Sequence, residues 1–310
     1  MSMLDVCDIH RAFGPLKAVD GVSFQIEAGQ ICGFIGPNGA GKTTTMRICA
    51  TLDLPDEGDV FVEGVSVLED PRGARQKIGF MPDALFAESH TPVCDFLDFH
   101  ARARGIRGQA RRKAIRDVVE FTGLGPLLDK DCTSLSKGMR QRTGLAATLL
   151  HDPSVLILDE PAAGLDPRAR VELRTLLSLL AQMGKAILIS SHILSELSEI
   201  CTVVAVIEQG TVRGSGSVDV IRRQLQPEPC YFLRGLQPAE AVERFLAEQP
   251  GVRDIRPERE GMSFSISGGE AAAAQLLVRA VSAGLEPVEF SPEAVDLEDL
   301  FLSLTKGIVQ

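Results

Sequence analysis

The chain contains no tryptophan and a single tyrosine. A nucleic-acid surface built on stacked aromatic rings is not to be expected from it. Positive charge is also in short supply: the formal net charge is −10, which argues against a general nucleic-acid binder. No nucleic-acid partner is expected. The seven cysteines (7, 32, 49, 94, 132, 201 and 230) are scattered, odd in number and never spaced as CxxC. They make neither a disulfide framework nor a zinc site, and they suit a reducing cytosol. The opening "MSMLDVCDIH" has acids early and no apolar core, unlike a signal peptide. No stretch approaches the ~18–20 apolar residues that a membrane span needs.

What is present reads as an ordinary folded protein, 45% hydrophobic and 24% charged, whose 310 residues suggest two domains or one large core with an appendage. Charge is uneven. Residues 226–310 hold fourteen acids against seven bases, and residues 100–116, "HARARGIRGQARRKAIR", hold seven bases and no acid. That basic stretch fits a solvated helix face or a contact with anionic headgroups or an acidic partner loop.

The period of the apolar residues changes along the chain. "VSFQIE" (22–27) alternates, "QICGFIG" (30–36) is an apolar strand, and residues 44–52 have a helical pattern. "GDVFVEGVSV" (58–67) alternates again and predicts a hairpin with Gly64 near its turn. From about 84 to 150 helical spacing takes over, with Phe96, Leu97, Val118, Val119 and Phe121 as core positions. Strands then alternate with helices: "SVLILD", a helix over 167–183, "AILISS", a short helix and "TVVAVIEQG". That order predicts a largely parallel sheet covered on both faces. "QPEPCYF" (226–232) reads as a linker. Beyond it the pattern is strand (230–235), helix (238–248), strand (252–258), strand (262–267), helix (270–283), strand (286–291) and a last helix (295–306), a ferredoxin-like βαββαβ unit plus a helix. The expected boundary between the domains is therefore 225/226.

Two short stretches carry chemistry. "GPNGAGKTTT" contains G-x-x-x-x-G-K-[ST] as Gly36, Gly41, Lys42 and Thr43, after an apolar strand and before a helix. A chance match in a chain of this length is on the order of one in a hundred. Glycines let backbone N–H groups curl around phosphate oxygens, and the helix N-terminus adds partial positive charge. Lys42 supplies a full charge to the terminal phosphates, and the Thr43 hydroxyl can ligate Mg²⁺. The loop as a whole, Gly36, Pro37, Asn38, Gly39, Ala40, Gly41, Lys42, Thr43 and Thr44, is expected to bind a nucleoside triphosphate.

The second stretch is "VLILDEPAAG" (155–164), where four apolar residues run into Asp159 and Glu160. Buried carboxylates are costly unless something pairs with them. At the end of a parallel strand Asp159 would face the phosphate loop and hold the magnesium ion through a water. Glu160 would point at the attacking water as a general base or positioning group. A strand-end turn with two solvated acids is the other reading of the pair.

With "SLSKGMRQR" (134–142), where Ser136 is a helix N-cap ahead of that strand, the chain resembles a family: the ATPase subunits of ATP-binding-cassette transporters. The resemblance covers residues 4–225. It implies a phosphate-loop NTPase of that type, α/β, with a mixed sheet, an antiparallel β subdomain and a helical insertion, followed by the small C-terminal α+β ferredoxin-like domain. It implies that Phe13 stacks on adenine, and that Ser136, Lys137, Gly138 and Met139 form the signature segment reaching ATP bound to a second subunit. It implies that Asp166 in "AGLDP" touches across that dimer, and that His192 in "SSH" contacts the γ-phosphate. Lys137 replaces a glycine of the usual signature, and Met139 replaces a glutamine. Asp83 stands where a glutamine usually senses magnesium and the membrane partner; an acid there could ligate Mg²⁺ through water.

These departures resemble the export branch, and the ending "LEDLFLSLTKG" is similar to the tail of bacterial drug, lipid or polysaccharide exporters. The resemblance then implies ATP and Mg²⁺ as ligands, a homodimer, one or more separate membrane permeases, and a peripheral place on the cytoplasmic face of the membrane. A soluble regulatory ATPase without a permease is the alternative.

Overall fold

A computed structural model describes residues 2–83, 90–191, 200–217 and 230–292. The chain divides into two compact units, Met1–Val218 and Asp219–Gln310, so the division falls a few residues before the expected 225/226.

The first unit opens with an antiparallel sheet ordered β2-β1-β4-β5, formed by β1 (Ser2–Phe13), β2 (Leu16–Glu27), β4 (Glu57–Val62) and β5 (Val65–Ser66). Its alternation is that of a half-buried sheet: in β2, Val22, Phe24 and Ile26 point inward while Ser23, Gln25 and Glu27 are exposed. The hairpin expected over 58–67 is present, with Gly64 at its turn.

The central sheet has six strands in the order β10-β9-β3-β8-β7-β6. These are β3 (Ile31–Ile35), β6 (Ile78–Met81), β7 (Val155–Leu158), β8 (Ala186–Ser191), β9 (Val203–Glu208) and β10 (Thr211–Ser217). All neighbours pair in parallel except the β9–β10 hairpin. β3, β7 and β8 are buried at every residue, as a parallel sheet covered on both faces requires.

Among the described residues, six helices accompany the two sheets: α1 (Lys42–Cys49), α2 (Pro71–Lys77), α3 (Val93–Ala103), α4 (Gly108–Thr122), α5 (Lys137–Leu149) and α6 (Pro167–Gln182). α1 begins two residues before the helical pattern of 44–52, because Gly41 at its N-cap takes a left-handed φ of 103° and turns the loop directly into the helix. α3 and α4 bury Leu97 and Val118, while Phe96, Val119 and Phe121 are only partly buried. The basic stretch is partly neutralised in place. Asp98 pairs with Arg102 at 2.6 Å and Arg111 at 2.9 Å, and Asp117 pairs with Lys113 at 2.8 Å and Arg116 at 3.6 Å. Among the described residues no helix is long and apolar enough to cross a membrane. All seven cysteines are free thiols, and burial pushes those of Cys32 and Cys49 up to about 12. The short helix expected after β8 and the last helix over 295–306 lie outside the described residues.

The second unit has β11 (Cys230–Gly235), α7 (Ala239–Ala247), β12 (Val252–Glu258), β13 (Gly261–Ile266), α8 (Gly269–Ser282) and β14 (Pro287–Pro292). Its sheet is antiparallel throughout, in the order β12-β13-β11-β14, the arrangement of a ferredoxin-like βαββαβ unit. Tyr231, Phe264 and Phe290 cluster in its core with Leu233, Leu246 and Leu276, and the Tyr231 and Phe290 ring centroids are 5.5 Å apart.

The only tyrosine of a tryptophan-free chain thus sits in this core, so its ultraviolet emission reports on the second unit. Phe264 is fully buried, and Phe264→Ala is expected to destabilise that unit by about 3–5 kcal/mol. Urea unfolding followed by Tyr231 fluorescence measures it; a midpoint equal to that of the parent would contradict the packing described.

Candidate functional site

The C-terminal ends of β3, β6, β7 and β8 lie side by side along one edge of the central sheet, where open parallel sheets take their ligands. The loop over 36–41 leaves β3 and enters α1 there. Two of its glycines are forced by close backbone approach. A Cβ on Gly36 would lie 2.3 Å from the carbonyl oxygen of Ile207, and one on Gly41 would lie 2.3 Å from that of Ala18. Gly39 has open space around it, and its φ of 80° alone calls for glycine. The loop is also tied down: Gly210 N–H donates to Ala40 O at 2.9 Å, and Asp20 N–H donates to Gly210 O at 2.8 Å. It is wedged between β2 and the β9–β10 turn, with Pro37, Asn38 and Gly39 exposed at its tip.

Lys42, the first residue of α1, is only 7% exposed. Its Nζ donates to Gly36 O at 2.6 Å and to Pro37 O at 3.2 Å, so the ammonium folds back into its own loop. Burial pulls its pKa below the ordinary lysine value, and the charges of Glu160 and Asp159 pull it back up. The opposing carboxylates that the apolar strand runs into therefore face a buried cation. Thr43 is exposed beside it, and Thr44 is half-buried.

Asp159 continues β7 by one residue, its N–H donating to Met81 O at 2.9 Å, and its side chain is buried. The Ser190 hydroxyl donates to Asp159 Oδ1 at 2.6 Å, and the Glu160 N–H donates to Ser190 Oγ at 2.8 Å. Glu160 itself takes a left-handed φ of 48°, a conformation that costs a non-glycine residue about 1–3 kcal/mol and needs its surroundings to hold it. Asp159 is not a solvated strand-end acid. Ser190 was not among the residues singled out from the sequence. The sequence shows only that the apolar run of β8 ends in two serines; their burial and their place beside the acids that follow β7 come from the pairing of the two strands.

Phe13 ends β1 with its ring 49% exposed, and the Arg11 guanidinium lies 5.0 Å from the ring centroid. The hairpin that carries Phe13 is the one whose Ala18 presses on Gly41. Asp83 is exposed in the bend after β6. His192 follows β8 in sequence and lies outside the described residues.

The remaining candidates form a second group, where the N-termini of α5 and α6 meet. Ser136 caps α5, its Oγ accepting from Met139 N–H at 3.3 Å, and Asp166 caps α6, its Oδ1 accepting from Ala169 N–H at 3.0 Å. A Cβ on Gly138 would lie 2.9 Å from Ala169 Cβ, and one on Gly164 would lie 2.8 Å from Lys137 Nζ. Gly138 therefore lets the two helices close up, and Lys137 reaches over the loop that leads to Asp166. Both helix dipoles point their positive ends toward this place.

Comparison with known proteins shows what the chain is similar to in sequence and fold. Residues 19–163 match the family described as ABC transporter, and residues 131–198 also match an AAA domain described as putative AbiEii toxin, Type IV TA system. An uncharacterized ABC transporter ATP-binding protein of Bacillus subtilis is 34% identical over 305 residues, covering 98% of this chain and 96% of its own. The Nod factor export ATP-binding protein I of Burkholderia lata is 37% identical over 214 residues, covering 69% of this chain and 70% of its own. Among solved structures, cbiO1 from Clostridium perfringens, part of the ABC transporter complex cbiONQ, is 28% identical with a TM-score of 0.62, covering 73% of this chain and 96% of its own.

The lysine yields a pH test. Its depressed pKa means that the ammonium is lost at a lower pH than a free lysine would lose it, so the positive charge falls away as pH rises, ahead of an ordinary lysine. Nucleotide affinity by titration calorimetry is expected to fall with rising pH before the ordinary lysine range is reached, and Lys42→Ala is expected to abolish binding. Normal ATP affinity in Lys42→Ala would remove the assignment.

Proposed function

The chain belongs to the ATP-binding subunits of ABC transporters, which hydrolyse ATP to power transport, and from that membership we propose that it drives export through a separate membrane permease. The observation that carries the proposal is the meeting of a buried lysine, a buried aspartate and a strained glutamate at one edge of a parallel sheet. Export is the activity named for the Burkholderia relative, and membership of a larger complex is stated for cbiO1. The absence of a spanning helix among the described residues accords with a permease supplied by other chains and with a peripheral place on the cytoplasmic face of the membrane. No feature of the described residues favours a soluble regulatory ATPase.

Backbone N–H groups of the loop over 36–44 and the N-terminus of α1 cradle the phosphates, and Lys42 exchanges its carbonyl contacts for β- and γ-phosphate oxygens. Phe13, on the hairpin above the loop, stacks on the adenine. The donors beside the phosphates are the Asp159 carboxylate and the Thr43 hydroxyl, an oxygen-only set suited to a hard cation such as Mg²⁺, and Asp83 adds an acid at the neighbouring strand end. When bound, Mg²⁺ neutralises charge on the phosphates and helps to hold them in line for displacement. Glu160 takes the proton of the attacking water as the water oxygen bonds to the γ-phosphorus and the bond from that phosphorus to the bridging oxygen breaks. ADP and inorganic phosphate leave. His192 contacts the γ-phosphate from the residue after β8.

Two copies of the chain enclose two nucleotides. The Ser136–Met139 segment of one copy supplies its helix N-terminus and the Lys137 charge to the γ-phosphate held by the other, and Asp166 lies at the same seam. Closure follows from the charge on the γ-phosphate, which bridges two positive helix ends and Lys42. Loss of that phosphate loosens the dimer, and the permease senses the change through the helical segment and Asp83.

Removing the proton acceptor separates binding from turnover. Glu160→Gln is expected to lower hydrolysis by about 10²–10⁴-fold while leaving ATP binding intact, and to yield a dimer at saturating Mg·ATP in light scattering. Unchanged hydrolysis would defeat the role of Glu160. A monomer under those conditions, with and without co-expressed permease, would defeat the closure mechanism.

A further inference from the structure

The geometry points to Ser190 as a positioning residue for hydrolysis: its single hydroxyl sets the carboxylate of Asp159 and the main chain of Glu160 relative to each other. The inference rests on the roles proposed above for those two acids and adds a third residue to them.

Ser190 is fully buried on β8, the strand beside β7. The register of the two strands pairs Leu158 with Ile189, so one step further sets Asp159 beside Ser190. A hydroxyl has one proton to give and lone pairs to accept with. The Glu160 N–H donates to its oxygen at 2.8 Å, and the hydroxyl in turn donates to Asp159 Oδ1 at 2.6 Å. The directions of both bonds are fixed. An amide N–H can only donate, so the serine oxygen accepts from it, and the serine proton is left for the carboxylate, which the ionised acid accepts. A hydroxyl-to-carboxylate bond of this length belongs to the strong, charge-assisted class.

Each bond holds something that would otherwise be loose. The carboxylate of Asp159 is fixed about its own torsion, which decides where its oxygens point relative to Lys42 and the phosphate loop. The Glu160 amide is held at a residue whose left-handed φ of 48° needs support from its surroundings. An apolar residue at 190 would leave the part-buried Glu160 N–H without this acceptor and the buried Asp159 carboxylate without this donor. The hydroxyl is therefore a small bracket between the acid that faces the metal and the acid that faces the water. Such supporting partners are worth about 10–100-fold in metal affinity or activity where they have been removed.

The experiment uses the full chain and compares Ser190→Ala and Ser190→Thr with the parent. Two quantities are read besides the rate: the Mg²⁺ concentration for half-maximal hydrolysis, and the gain in ATP affinity that Mg²⁺ brings, by calorimetry in a Glu160→Gln background. Ser190→Ala is expected to lose about 10–100-fold in kcat, to need more Mg²⁺ for half-maximal hydrolysis, and to gain less ATP affinity from Mg²⁺. Its affinity for ATP without Mg²⁺ is expected to match the parent. Ser190→Thr, which restores the hydroxyl, is expected to recover most of the loss. If Ser190→Ala fails to fold, Ser190→Cys, which keeps a similar volume with a weaker donor, takes its place with the same expected outcomes. A variant lacking the hydroxyl that keeps kcat and Mg²⁺ requirement within about twofold of the parent overturns the inference, as does one whose Mg²⁺-free ATP affinity falls as far as its kcat. Glu160→Gln alone reports on the underlying assignment. If that variant hydrolyses ATP normally, the roles of the acids fail first; if it is inactive and Ser190→Ala is normal, only the bracket fails.

Discussion

A lysine ammonium buried opposite two carboxylates is the constraint from which the first unit takes its form. Neither the buried lysine nor the buried aspartate would be tolerated alone as a charge in so closed a place. Together they need a fold that brings a glycine loop, a strand end and a second strand end to one line, and a parallel sheet does this through its strand order. β3 carries the loop, β8 lies next to it, and β7 lies next to β8. The distance in sequence between Lys42 and Asp159 is filled by the helical segment and by the edge strands, none of which has to enter the line itself.

Much of this was legible in the sequence, because the strongest signals were local. The spacing of Gly36, Gly41, Lys42 and Thr43 between an apolar strand and a helix prescribes its own geometry, and "VLILDE" announces a buried strand that ends in acids. The βαββαβ order of the second unit was visible for the same reason: each element has its own period and its own breaker. What the sequence concealed was lateral. Nothing in "AILISS" says that its penultimate serine will sit against the acids of a strand thirty-one residues away, because the pairing of β7 with β8 is decided by tertiary packing. The same holds for Lys137, whose reach over Gly164 depends on how α5 and α6 meet. The earlier start of α1 was a local matter that the apolar pattern missed, since the helix is opened by the backbone of Gly41 and not by a hydrophobic side chain.

The basic stretch shows how composition can overstate a surface. Read as letters, residues 100–116 are seven bases with no acid. In the folded chain Asp98, which precedes the stretch, and Asp117, which follows it, are drawn in between Arg102, Arg111, Lys113 and Arg116. A helical spacing of four residues makes the Asp98–Arg102 and Lys113–Asp117 pairs, and the packing of α3 against α4 makes the Asp98–Arg111 pair; exposed pairs of this kind contribute little to stability.

The closest contacts that a Cβ at residue 36 or 41 would make are both with main-chain oxygens, of Ile207 and Ala18. A clash with a bulky neighbour can be cured by shrinking that neighbour, but every amino acid brings the same carbonyl. Mutational drift at positions 18 and 207 therefore cannot make room, and these two glycines have no suppressor among the side chains around them. A side chain at either position meets the same oxygen whatever residues stand at 18 and 207.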